Sequence, residues 1–165
     1  MSFDPRGSVF RITKHDNPRE FGTGFVIHMT TGAPEKHEAY ILTCAHVVVD
    51  LGEMTMTVDG NSAQLITRGD KDGLDLAVIK VIFPDVVLLR SIGSTARGEL
   101  KDLVEVHGFL GEKRVPLRAR LNKDEDLPKA GELRLYQFVL EKDETIEPDN
   151  LVKGYSGSPI VLMEF

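Results

Sequence analysis

Three residues of this chain carry groups that could act together in nucleophilic chemistry. They are a serine between glycines, a histidine among small apolar residues, and an aspartate inside a hydrophobic run. Ser156 sits in Gly154-Tyr155-Ser156-Gly157-Ser158-Pro159, entered from a polar segment and followed at once by Ile160-Val161-Leu162. The glycines accept positive φ at little steric cost. A glycine two residues before the serine lets the N–H groups of Gly154 and Ser156 point into one small space, as an oxyanion hole requires. The same residues also suit an ordinary small-residue turn ending in proline. A serine hydroxyl is a weak nucleophile near neutral pH, so the chemical reading needs a base and a group that orients the base.

His46 stands in Thr43-Cys44-Ala45-His46-Val47-Val48, which reads as the end of a buried strand. A histidine in such surroundings is either a packed core residue or a base. Asp75 lies in Leu74-Asp75-Leu76-Ala77, at the start of an otherwise apolar strand, where an unpaired carboxylate is costly. It either caps the amides of the Arg68 to Gly73 loop or has a specific partner. Cys44 reads as a small buried hydrophobe with nothing nearby to lower its pKa. His15, His28 and His37 fall in polar or loop positions without the neighbours of a metal site, so neither a metal nor another cofactor is expected.

The elements that must hold these residues are short strands. Ser8 to Ile12, Phe21 to Ile27, Ala39 to Thr43, Met54 to Val58, Ala63 to Thr67 and Leu74 to Val81 read as strands, with Asp59-Gly60-Asn61 a strong turn. The composition then shifts to a linker with Pro84, Gly93 and Gly98. Leu103 to Phe109, Arg114 to Leu121, Leu133 to Leu140 and Ser158 to Glu164 follow as strands. Helical periodicity is almost absent, so the expectation is an all-β protein of barrels or sandwiches. With 165 residues and 41% apolar content, the chain is one ordinary globular unit or two subdomains sharing a core. The net charge of −6 argues against nucleic acid, and no apolar run is long enough to span a membrane. A single cysteine and an N-terminus without an apolar signal region point to a reducing, cytoplasmic location.

Taken together, four segments resemble, in order, the motif series of the trypsin-like (chymotrypsin-fold) serine proteases. They are Gly22-Thr23-Gly24-Phe25-Val26-Ile27, Leu42-Thr43-Cys44-Ala45-His46-Val47-Val48, Leu74-Asp75-Leu76-Ala77-Val78-Ile79-Lys80-Val81 and Gly154-Tyr155-Ser156-Gly157-Ser158-Pro159. The lack of disulfides and Val106-His107-Gly108-Phe109-Leu110-Gly111 look most like bacterial members of the HtrA/Deg type, here without a PDZ domain. The resemblance implies two antiparallel β-barrels. Residues 1–86 would carry the histidine and aspartate, 87–102 would link the barrels, and 103–165 would form the barrel carrying the serine. It implies Ser156 as nucleophile, His46 as general base and then acid, and Asp75 as the carboxylate that orients the imidazole. The N–H groups of Gly154 and Ser156 would form the oxyanion hole, and Asn150 the floor of the substrate pocket.

Departures from the family pattern carry expectations of their own. Tyr155 stands where zymogen-activated members have an aspartate, so that activation switch is absent; Ser158 replaces a second glycine. Only four strands are expected after the linker where the family has six. The second barrel is therefore expected to be incomplete, with a C-terminal continuation or partner protein completing it. The implied function is a serine endopeptidase acting on protein or peptide through an acyl-enzyme. The alternative is a catalytically idle trypsin-like fold used as a protein-binding or regulatory module of a larger bacterial protein. An α/β-hydrolase would need the order Ser, Asp, His and alternating helices, and both are missing.

Overall fold

The computed structural model describes residues 6–31, 36–83, 89–92, 103–122, 137–140 and 154–162. Six strands precede the linker: β1 (Val9–Lys14), β2 (Phe21–Thr31), β3 (His37–Thr43), β4 (Met56–Val58), β5 (Asn61–Arg68) and β6 (Ala77–Phe83). They close into an antiparallel barrel in the order β1-β2-β3-β6-β5-β4, with β4 returning to β1 through Ile12 opposite Val58. Closure removes both sheet edges, so the barrel offers no unpaired strand to another chain. Period-2 alternation fills its interior. Along β6, Ala77, Ile79, Val81 and Phe83 are buried, and along β3 Ala39, Ile41 and Thr43 are. Between β4 and β5 the chain reverses in two residues, with Asp59 at φ 48° and Gly60 at φ 78°. Both values lie in the left-handed region that a two-residue hairpin turn needs, which is why an Asp-Gly pair stands there.

After the linker, β7 (Leu103–Leu110), β8 (Lys113–Asn122), β9 (Gln137–Leu140) and β10 (Ile160–Leu162) form a four-stranded antiparallel sheet in the order β10-β7-β8-β9. A closed second barrel is not formed by the described residues. Of the linker expected over 87–102, residues 89–92 are described. They lie on the first barrel, with the Arg90 N–H donating to the Gly7 carbonyl at 2.8 Å and the Ile92 N–H to the Val26 carbonyl at 2.7 Å. The remainder of the linker lies outside the described residues, as do residues 133–136 and 163–164 of the two last expected strands. No helix among the described residues is long and apolar enough to cross a membrane.

Two local expectations are corrected. The segment after β3 is not the end of a strand but a helix, α1 (Ala45–Leu51), which buries Ala45, Val47, Val48 and Leu51. Seven residues are too few to display a helical period, and three consecutive valines favour a strand reading because β-branched side chains are poor helix formers. Its formation is a packing result, since Val47 lies against Gly22 of β2. A Cβ at position 22 would come within 2.5 Å of Val47 Cγ1, so only glycine lets the helix seat there. The second correction concerns Asp75. β6 begins at Ala77, residues 74–76 form a connection outside the sheet, and the Asp75 side chain is 56% exposed, with Leu74 and Leu76 also exposed. An avoided burial cost therefore does not explain its position.

The barrel core makes a direct stability prediction. Phe83 is 1% exposed and its ring lies 5.4 Å from that of Phe10. Phe83→Ala should destabilise the chain by about 3–5 kcal/mol through lost burial and the cavity it leaves. Urea unfolding followed by circular dichroism would measure this as a lower midpoint, and an unchanged midpoint would contradict the packing described.

Candidate active site

β3 and β6 are antiparallel neighbours with Thr43 opposite Ala77. Moving three residues forward from Thr43 and two backward from Ala77 therefore leads to the same end of the barrel, and His46 meets Asp75 there. The His46 N–H donates to Asp75 Oδ1 at 2.9 Å, and His46 Nδ1 lies 2.6 Å from Asp75 Oδ2. The connection holding Asp75 is fixed by two backbone bonds, Leu74 N–H to the Gly69 carbonyl and Gly69 N–H to the Leu76 carbonyl, both 2.8 Å. Burial acts to raise the Asp75 pKa. The hydrogen bonds from the His46 backbone and ring outweigh it, with the Cys44 thiol adding a weaker one, and the net pKa is lowered. Asp75 thus has a specific partner, and the capping role considered for the Arg68 to Gly73 loop is not the one its carboxylate plays.

Cys44 is more involved than a packed hydrophobe. Its sulfur lies within 4.8 Å of a ligand atom of both His46 and Asp75. Desolvation, followed by the negative charge of Asp75, pushes the thiol pKa up to about 11, so it is protonated at neutral pH.

Ser156 reaches the same region from the other half of the chain. Its turn is clasped by two buried threonines that sequence reasoning did not single out. The Thr23 N–H donates to the Ser156 carbonyl at 3.0 Å, and Thr23 Oγ1 donates to the Gly154 carbonyl at 2.6 Å. Thr43 Oγ1 donates in turn to the Thr23 carbonyl at 2.7 Å. The available signal was a threonine in two of the four motifs: Thr43 follows the inward Ala39 and Ile41 of β3, and Thr23 sits opposite Arg11 on the face of β2 away from the core residue Val26. Gly157 follows at φ 83°, where a Cβ would collide with the Thr23 carbonyl oxygen, so no side chain fits. On the opposite side, Tyr155 lies over Gly108 and donates its hydroxyl to the Val115 carbonyl at 2.8 Å.

His46 and Ser156 line one cleft of about 380 Å³, whose walls include Glu20, Phe21, Val47 and Asp50. Asp75 stands behind His46. Gly154 is buried within the clasped turn, whereas Asn150 lies outside the described residues. Chemically, the arrangement holds one imidazole oriented by a carboxylate, at a cleft that Ser156 also lines.

No protein-family model matches the chain, and no curated protein is significantly similar to it in sequence. Solved structures are similar. Rv3671c from M. tuberculosis, in an inactive form, matches with a TM-score of 0.62 at 20% identity, over 93% of this chain and 71% of its own. Deg5 matches with a TM-score of 0.58 at 15% identity, over 95% of this chain and 75% of its own. The serine endoprotease from Yersinia pestis matches with a TM-score of 0.58 at 19% identity, over 95% of this chain and 50% of its own. The fold is that of the trypsin-like, HtrA-type serine proteases. Within that trypsin-like fold, the first barrel is complete and the serine turn lies against it.

The Asp75 contacts predict a pH dependence of stability. An unfolded aspartate titrates near pH 3.9, and the folded Asp75 titrates lower. Between the two values the unfolded chain holds more protons, so stability rises with pH through that window. The advantage of the wild type over Asp75→Asn should be full above about pH 5 and shrink as pH falls through the lowered folded value. Urea midpoints of both proteins from pH 7 to pH 3 would show the gap closing; a gap constant across the range would mean the carboxylate contacts contribute nothing.

Proposed function

We propose that the chain is a serine endopeptidase that cleaves protein or peptide bonds through Ser156, His46 and Asp75. The observation that carries this reading is the 2.6 Å contact between His46 Nδ1 and the Asp75 carboxylate, at a cleft that Ser156 also lines. A carboxylate accepting from Nδ1 leaves Nε2 as the lone-pair nitrogen, which is the tautomer a general base requires. His46 would take the Ser156 proton as the hydroxyl attacks a carbonyl, and Asp75 would stabilise the imidazolium that forms. The same imidazolium then protonates the leaving amine, and water repeats the sequence in reverse to release the acyl group.

The N–H groups of Gly154 and Ser156 would hold the oxyanion, each such donor contributing roughly 3 kcal/mol to transition-state stabilisation. Asn150 would form the pocket floor. In this reading residues 1–86 supply the base and its orienting carboxylate, residues 103–165 supply the nucleophile, and residues 87–102 join them. The trypsin-like fold supports the assignment as analogy, since a fold hosts many functions and the site must carry the argument.

The deciding experiment is labelling with a fluorophosphonate probe, which reacts only with an activated serine. The wild type should be labelled, with Ser156→Ala unlabelled and His46→Ala slowed by several orders of magnitude. Asp75→Asn should be slowed about 10⁴-fold because the wrong tautomer prevails. A wild-type chain that is folded yet never labelled would favour a binding module over an enzyme.

A further inference from the structure

Cys44, His46 and Asp75 bring a thiol, an imidazole and a carboxylate to one point beside the cleft, and one ligand atom from each lies within 4.8 Å of the others. From this juxtaposition we propose that the three residues form a site for zinc(II), and that the bound metal holds the chain in an inactive state. The donor set is the reason for that metal. Thiolate, imidazole and carboxylate are the side chains that zinc takes, whereas magnesium and calcium select oxygen alone. Zinc with bonds of about 2.0–2.3 Å places tetrahedral ligand atoms about 3.3–3.8 Å apart. Donors up to 4.8 Å apart would close by about 1–1.5 Å at most, and the His46 Nδ1–Asp75 Oδ2 pair, now 2.6 Å apart, would open by somewhat less than that if Nδ1 is the ligand.

The contact between His46 and Asp75 explains itself as an orienting pair, and it needs nothing from Cys44. A small apolar residue would fill position 44 equally well. Instead a sulfur stands within 4.8 Å of a ligand atom of both His46 and Asp75. The His46 and Asp75 side chains are 49% and 56% exposed, so an ion has a path in from solvent.

Binding breaks the Cys44 S–H bond, forms the Zn–S bond and releases the thiol proton to solvent. His46 enters as a neutral ring and Asp75 as a carboxylate, and water takes the fourth position. A neutral imidazole has a single lone-pair nitrogen. Coordination through Nδ1 leaves the proton on Nε2, and coordination through Nε2 occupies its lone pair, so either mode removes the base from Ser156. That consequence rests on the endopeptidase reading; the metal site itself does not.

Cobalt(II) provides the test, because Cys44 is the sole cysteine of the chain and a thiolate-to-cobalt charge-transfer band can arise only from it. Added cobalt should produce the band, and one equivalent of zinc should bleach it. The band should be absent in Cys44→Ala and lost in His46→Ala and Asp75→Ala, with folding of each checked by circular dichroism. No band in the wild type, or a band of full intensity in both His46→Ala and Asp75→Ala, would overturn the site. In parallel, zinc should slow fluorophosphonate labelling of the wild type at least tenfold, reversibly on adding a chelator. Cys44→Ala, compared with its own metal-free rate, should not respond. Rapid labelling of the wild type under saturating zinc would overturn the inhibitory role. A chain that shows the cobalt band but is never labelled would keep the site and refute the endopeptidase.

Discussion

A short run of hydrogen bonds through two buried threonines joins the halves of this molecule, and the geometry of the cleft depends on it. Thr43 donates to the Thr23 carbonyl, and Thr23 donates from its amide to Ser156 and from its hydroxyl to Gly154. Thr23 and Thr43 are 0% and 1% exposed. Away from water, each bond is worth about 1 kcal/mol when made, and a partner left unsatisfied costs about 1–3 kcal/mol. The turn bearing Ser156 is therefore fixed by buried threonines on β2 and β3 of the barrel. Thr43 is also the last residue of β3, two positions before the helix that carries His46. One strand end thus registers both the imidazole and the serine turn.

The Asp75 carboxylate organises the other side of the cleft by being an acceptor only. It collects the His46 amide on one oxygen and the His46 ring on the other. An ionised carboxylate with several donors is stabilised in its charged form even when half exposed, and the lowered pKa follows from that competition with burial. The amide contact adds directional control. It ties the carboxylate to the backbone of the same residue whose ring it meets, so the ring cannot rotate away without losing one of two bonds.

The closed six-stranded barrel makes such control affordable. A barrel without edges and with a continuous apolar interior, from Phe10 and Ile12 to Ile79 and Phe83, is a rigid base. Short connections at its rim inherit that rigidity. Both His46 and Asp75 lie on such connections, one through a helix seated on Gly22 and the other through the Gly69 to Leu76 clamp. Across the seam, Tyr155 anchors the serine turn to the second sheet through Val115. The turn is thereby held from both halves at once.

The sequence by itself determined the strand content, the Asp59-Gly60 hairpin, the strands of the second sheet and the three residues to look at. These follow from local causes: period-2 burial, the φ values open to Asp-Gly, and the ordered motifs that resemble one family. What only the tertiary structure decided was which residues meet. The antiparallel register of Thr43 with Ala77 brings residue 46 to residue 75, a pairing across 29 positions that no local pattern contains. The helix carrying His46 has no signature in its own residues because its cause is the space above Gly22, not its own propensity. The burial of Asp75 was misjudged because its apolar neighbours lie on an exposed connection and not inside the sheet. The roles of Thr23, Thr43 and Cys44 have no local signature for the same reason: a sequestered hydroxyl or thiol acquires meaning from its partners, and closure of the barrel and docking of the second sheet supply those partners.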